Sequence, residues 1–124
     1  MSVTYYLNKG IRLGDLKKNG FKIEDHRNEE RSYPFVVENG DGSGVAITYT
    51  VAGEPNEDDW VIDEFEGRFS HGGACAILEM CDKFGCKFIT DEDIDNAFYT
   101  EKPITEEDYT NRTEAFRKKM SSPD

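Results

Sequence analysis

The stretch Ser70-His71-Gly72-Gly73-Ala74-Cys75 has the residue types closest to a catalytic site in this sequence. A cysteine in the first turn of a helix lies where the dipole favours the thiolate. His71 and Cys75 are four apart and would share a helix face. Two glycines would let a ligand approach backbone N–H groups, as anion sites do. Together these could support a cysteine nucleophile with a histidine base. The plainer reading is that Gly72 and Gly73 ease a sharp turn into a helix and that Cys75 packs in the core. The sequence favours the plainer one.

Metal chemistry has ligand types here but not ligand spacing. His71, Cys75 and Glu79 recur at intervals of four, with Cys81 and Cys86 nearby. Structural zinc takes four ligands in paired spacings, which these do not match. Asp91, Asp93 and Asp95 copy the first three ligands of a calcium loop. Asn96 then stands where that loop needs glycine, and Lys102 where it needs a bidentate glutamate. No metal and no other cofactor is expected.

Paired carboxylates are a third option. Of Asp63, Glu64 and Glu66, only Glu64 and Glu66 would share a strand face, because neighbouring residues point opposite ways. General acid–base work needs a cleft that drives two pKa values apart. With 26 Asp and Glu in 124 residues, close pairs arise by chance. No catalytic residue is assigned, and the chain is not expected to be an enzyme.

The distribution of charge says more. The formal net charge is -11, and residues 38–108 carry nineteen Asp/Glu against four Lys/Arg. Residues 1–37 carry five against seven, and residues 109–124 two against four. A field of one sign over the middle of a small chain bears on partners rather than on fold. Direct nucleic-acid binding needs a basic footprint. Lys17-Lys18 and Arg117-Lys118-Lys119 are the best basic clusters, and both read as complements of helix C-termini.

Glu54, Glu57, Asp58, Asp59, Asp63, Glu64 and Glu66 flank Trp60 and Phe65. A secondary cluster follows at Asp91, Glu92, Asp93 and Asp95, then Glu101, Glu106, Glu107 and Asp108. Gathered on one side, these acids would resemble the charge of a phosphate backbone. They would then fit the positive groove of a protein whose ligand is nucleic acid. Aromatic anchors within such a rim are a common build for tight interfaces. Acids at helix starts have a local explanation as caps, whereas the run from Glu54 to Asp59 has none. The binding face is therefore expected between Glu54 and Glu66.

The elements that must position these residues follow from periodicity. Val3–Leu7 reads as a short strand, Gly10–Gly20 as a short helix stopped at Asn19-Gly20, and Phe21–Asp25 as a strand. Tyr33, Phe35 and Val37 alternate with Pro34, Val36 and Glu38. Val45, Ile47, Tyr49 and Val51 alternate in the same way, across a glycine-rich turn at residues 39–44. Pro34 cannot donate to a ladder, so its strand starts there or runs along an edge. Trp60–Glu66 completes a meander.

Ala74, Ile77, Leu78 and Cys81 then form a helix stripe, with Ser70 as N-cap and Gly85 as stop. Phe88-Ile89 reads as a short strand or docking segment. Ile89-Thr90-Asp91-Glu92-Asp93-Ile94 is echoed by Ile104-Thr105-Glu106-Glu107-Asp108-Tyr109, two helix starts using one chemistry. Ile94, Ala97 and Phe98 mark the inner side of the first. Tyr109, Thr113, Phe116 and Met120 mark that of the second.

The fold class is thus α+β: an antiparallel meander of three to five strands, packed by a central helix and followed by two C-terminal helices. Residues 1–120 are expected to form one domain and residues 121–124 a disordered tail. No apolar run approaches the roughly 20 residues of a membrane span. The N-terminus lacks a signal-peptide pattern, and three cysteines without a C-x-x-C fit a reducing compartment. These features point to a cytoplasmic protein of undetermined oligomeric state.

The functional expectation is a non-catalytic acidic binding protein that neutralises a basic, nucleic-acid-acting protein. An immunity protein or a phage-type anti-CRISPR inhibitor has this physical profile. Two other classes stay open: a small cysteine-dependent enzyme using Cys75 and His71, and a structural module self-associating through an exposed edge strand, with the Pro34 strand as candidate.

Overall fold

Among the described residues, period-two alternation builds one antiparallel sheet of six strands. The computed structural model describes residues 3–25, 35–42, 44–48, 56–67 and 70–121, with backbone alone for Glu57, residues 70–73 and Ser121. In chain order the elements are β1 (Val3–Arg12), α1 (Leu13–Lys18), β2 (Lys22–Asp25), β3 (Phe35–Glu38) and β4 (Val45–Thr48). A 3-10 turn (Glu57–Asp59) leads to β5 (Val61–Gly67), α2 (Ser70–Phe84), β6 (Phe88–Thr90), α3 (Asp91–Thr100) and α4 (Glu106–Ser121). No helix among the described residues is long and apolar enough to cross a membrane.

The spatial order is β2-β3-β4-β5-β1-β6. The α+β class stands, with the expected meander running from β2 to β5. The sheet exceeds three to five strands because β1 returns beside β5 and β6 then adds to the far side of β1. Pairing also lengthens β1 beyond the expected Val3–Leu7. Tyr5 faces Phe65 on one side and Thr90 on the other; the β5 register shifts after Tyr6 and resumes at Ile11 opposite Ile62. Gly10 lies in the irregular stretch, where a Cβ would run into the Val61 side chain.

β3 begins at Phe35 and is an interior strand paired on both sides, which leaves the alternative that the strand starts near Pro34 and corrects the expectation of an exposed edge there. Two hairpin partners enclose it. The edges are β2, with four residues and three charges, and β6, with three residues against which α3 and α4 pack. Pro34 itself, with Tyr33, Tyr49, Val51 and the turn before Asn56, lies outside the described residues.

Register places Tyr5, Leu7, Phe35, Val37, Ala46, Thr48, Phe65, Phe88 and Thr90 on one face of the sheet, and all are buried. α2 covers this face through Ala74, Ile77, Leu78 and Cys81, the stripe read from sequence, and also buries Ala76 and Met80. α4 adds Phe116, whose ring meets Tyr5 and Phe88 edge-on at 6.0 and 5.4 Å. Burying such rings contributes roughly 2–3 kcal/mol each. The Tyr5 and Thr48 hydroxyls are buried there without a hydrogen-bond partner among the described residues.

Helix ends follow the expected chemistry with one exception. The Thr90 N–H donates to the Asp93 carboxylate at 3.0 Å, and the Thr105 N–H to that of Asp108 at 2.8 Å. The two echoed segments therefore start helices in the same way. α2 ends on Gly85 with φ 65°, and the Cys86 N–H donates back to the Cys81 carbonyl at 3.2 Å. α3 closes by the same pattern: Lys102 N–H to the Ala97 carbonyl and Glu101 N–H to that of Phe98. Its left-handed position, φ 55°, is held by Glu101 instead of glycine.

Candidate functional site

The acids bet on from sequence divide into two groups. In the 3-10 turn, Asp58 takes the Lys17 ammonium at 2.9 Å, and Asp59 takes the Arg12 guanidinium. The packing there is close, since a Cβ at Gly14 would lie 3.0 Å from that of Asp58. The Leu13 N–H also donates to the Trp60 carbonyl at 2.8 Å. Asp58 and Asp59 thus have a local role after all: they tie the approach to β5 onto β1 and α1. These charges are already paired within the chain.

The aromatic residues of that stretch are inward. Phe65 is fully buried, which removes it from any binding face. It alternates with Glu64 and Glu66 and so points into the core with Tyr5. Trp60 is half-buried and meets Phe35 edge-on at 5.4 Å. Glu54 and the Glu57 side chain lie outside the described residues.

The other group meets at Tyr6. Glu64 stands directly across the β1–β5 ladder from Tyr6, and Glu66 across from Thr4, on the sheet face opposite α2 and α4. On the other flank of Tyr6, β6 runs into the first turn of α3, which brings Asp91 and Asp95 close. Burial first, then the Glu64, Asp91 and Asp95 carboxylates, push the Tyr6 hydroxyl above its ordinary value of 10.0. Neither Glu64, Asp91 nor Asp95 has a cationic partner among the described residues. A second meeting point lies at Tyr109, raised by burial and then by Glu106 of α4 and Asp63 of β5. Glu106 also accepts from the Asn8 side chain at 3.3 Å.

The remaining acids of the secondary cluster serve structure. Asp93 accepts two bonds from Arg112, 2.8 and 2.6 Å, besides that from Thr90. Burial would raise its pKa, but the Arg112 and Thr90 hydrogen bonds outweigh burial and hold it below its ordinary 3.8. Asp108 caps α4, while Glu92 and Glu107 are exposed. A cleft of about 630 Å³ between α3 and α4 is lined by polar and apolar residues alike, among them Asn96, Ala97, Lys102, Ile104 and Asn111, with this ion pair in its wall.

Sequence reading assigned Phe98 to the inner side of α3, and the structure corrects this. Phe98 is 78% and Tyr99 81% exposed, their rings 5.6 Å apart at 81°. Ile94 and Ala97 face inward, which turns both rings outward. The signal was available: two adjacent aromatic residues on a short helix cannot share one narrow stripe. Tyr6 was missed as well, although strict alternation from Tyr5 puts it on the opposite face.

Cys75 is half-buried and α2 does begin at Ser70, but the His71 side chain lies outside the described residues. Cys81 and Cys86 are buried free thiols with Sγ atoms 3.7 Å apart. Their shared hydrogen bond, then burial, push the Cys81 thiol up. Among the described residues, no three His, Cys, Asp or Glu are grouped to hold a metal ion. No family model, curated protein or solved structure matches the chain.

Proposed function

We propose that this chain is a non-catalytic acidic binding protein that neutralises a basic protein whose own ligand is nucleic acid. An immunity protein for a nuclease, or a phage-type inhibitor of a defence nuclease such as a CRISPR effector, is the role this describes. The observation that supports it is the meeting of Glu64, Asp91 and Asp95 around Tyr6, with no cation among the described residues to balance them. A concentration of negative charge steers a positive surface toward it and is neutralised on binding. The face uses Asp63, Glu64, Asp91 and Asp95 in place of the paired Asp58 and Asp59 and the buried Phe65.

The test is capture from the native source at low and high ionic strength, with added DNA as competitor. The expected partner is retained at low salt and released by salt and by DNA. Reversing Glu64, Asp91 and Asp95 together should slow its association by at least about tenfold. A partner whose association rate is indifferent to salt and to the triple change would refute the reading.

A further inference from the structure

α3 is an element whose outer face the fold does not use. It has ten residues, none of them buried, and it is held by Asp93 to Arg112 and by Thr90 at its start. Its outer side nevertheless carries two large aromatic rings in the open. Helix spacing surrounds them with acids. Asp95 is three residues before Phe98 and four before Tyr99, Asp91 lies one turn further back, and Glu101 is three beyond Phe98. Glu101 occupies the left-handed position where glycine costs least, so an acidic residue follows the rings in the chain at the expense of local backbone stability.

We infer that this face of α3 is a docking surface for arginine side chains of the basic partner. The Phe98 and Tyr99 rings receive a guanidinium plane, and Asp95, Asp91 and Glu101 pair with its N–H groups. Charge complementarity requires a cation, and the rings select which one. A guanidinium is planar, weakly hydrated and stacks on aromatic faces, whereas an ammonium is a compact, strongly hydrated point charge. The acids at Tyr6 continue this strip onto the sheet, since Asp91 and Asp95 also act on the Tyr6 hydroxyl. The inference rests on the proposed binding function and adds the chemistry of the partner's contact residues.

The test uses the full chain with two labelled probes, an arginine homopeptide and a lysine homopeptide of equal length, titrated by fluorescence anisotropy at low ionic strength. The arginine peptide should bind roughly two- to fivefold tighter. Phe98→Ala/Tyr99→Ala should erase that margin and leave the salt-sensitive part of the affinity. Phe98→Gln/Tyr99→Gln, which keeps helix propensity, should do the same if the alanine pair perturbs the helix. Equal affinities on the parent chain, or a margin that survives both variants, would overturn the docking surface and leave the acidic binding function standing. Failure of both peptides to bind would remove the two together.

Discussion

The Arg112 guanidinium holds both oxygens of the Asp93 carboxylate, at 2.8 and 2.6 Å, and so ties α4 to the start of α3. Both side chains are about three-quarters covered, 27% and 20% exposed. Asp93 is held below its ordinary 3.8, so its contribution to stability is present above that pH and is lost as pH falls through the depressed folded value. Acid unfolding should therefore show an extra loss below pH 3.8 that Asp93→Asn abolishes. Arg112→Ala should cost about 1–3 kcal/mol by urea denaturation at neutral pH, because it leaves a part-buried carboxylate unpaired. Parent and Asp93→Asn curves of the same shape in acid would contradict this.

Neutralising the acids around Tyr6 has a different expected signature. Glu64→Gln/Asp91→Asn/Asp95→Asn removes the three carboxylates that act on the Tyr6 hydroxyl and leaves the burial that acts most. The Tyr6 titration, followed by NMR, should move down toward 10.0 without reaching it. The fold should be retained, since none of the three is in an ion pair among the described residues. By contrast, Asp58→Asn/Asp59→Asn should lower stability by about 1 kcal/mol or less and leave the Tyr6 titration in place.

Tyr5 is buried, its hydroxyl has no hydrogen-bond partner among the described residues, and its pKa is pushed up to about 12 by burial, then by Asp91 and Cys75. A folded value above the unfolded 10.0 means its contribution is full below pH 10 and declines as pH rises toward 12. Tyr5→Phe keeps the ring contacts with Phe88 and Phe116 and removes the unsatisfied group. Stability at pH 7 should be unchanged or higher by about 1 kcal/mol, and this part of the alkaline decline should vanish. A loss of more than that in thermal unfolding would mean the hydroxyl has a partner.

Glu101→Gly separates stability from binding. Relief of the left-handed backbone should raise stability by about 1 kcal/mol in thermal melts. The same change removes the acidic residue that follows the rings in the chain, so the preference for arginine peptide over lysine peptide should shrink. A variant no more stable than the parent would show that φ 55° costs nothing here.

Much of the fold was legible in local pattern. The hairpin strands, the α2 stripe with its Gly85 stop, and the inward Thr113, Phe116 and Met120 of α4 follow from periods of 2 and 3.6. The two Thr-acid helix starts follow from the hydrogen bonds a free helix end requires. The candidate site was less legible. Glu54–Asp59 looked unexplained in one dimension because Lys17 and Arg12, which neutralise Asp58 and Asp59, lie more than forty positions away. Phe98 looked inward because its spacing from Ile94 is helical, yet a helix docked by one edge has room inside for Ile94 and Ala97 alone.

By itself the sequence determined the α+β class, most of the local elements though not all their bounds, and a surplus of negative charge, because propensity, capping and alternation act over a few residues. Only the tertiary structure decided which charges remain available. β1 returns between β5 and β6, which sets Tyr6 between Glu64 and the first turn of α3, while α1 brings two cations to the 3-10 turn. Electrostatic energy depends on distance in space, and the strand order that sets those distances is fixed by burying Tyr5, Phe65 and Phe88 together beneath α2 and α4.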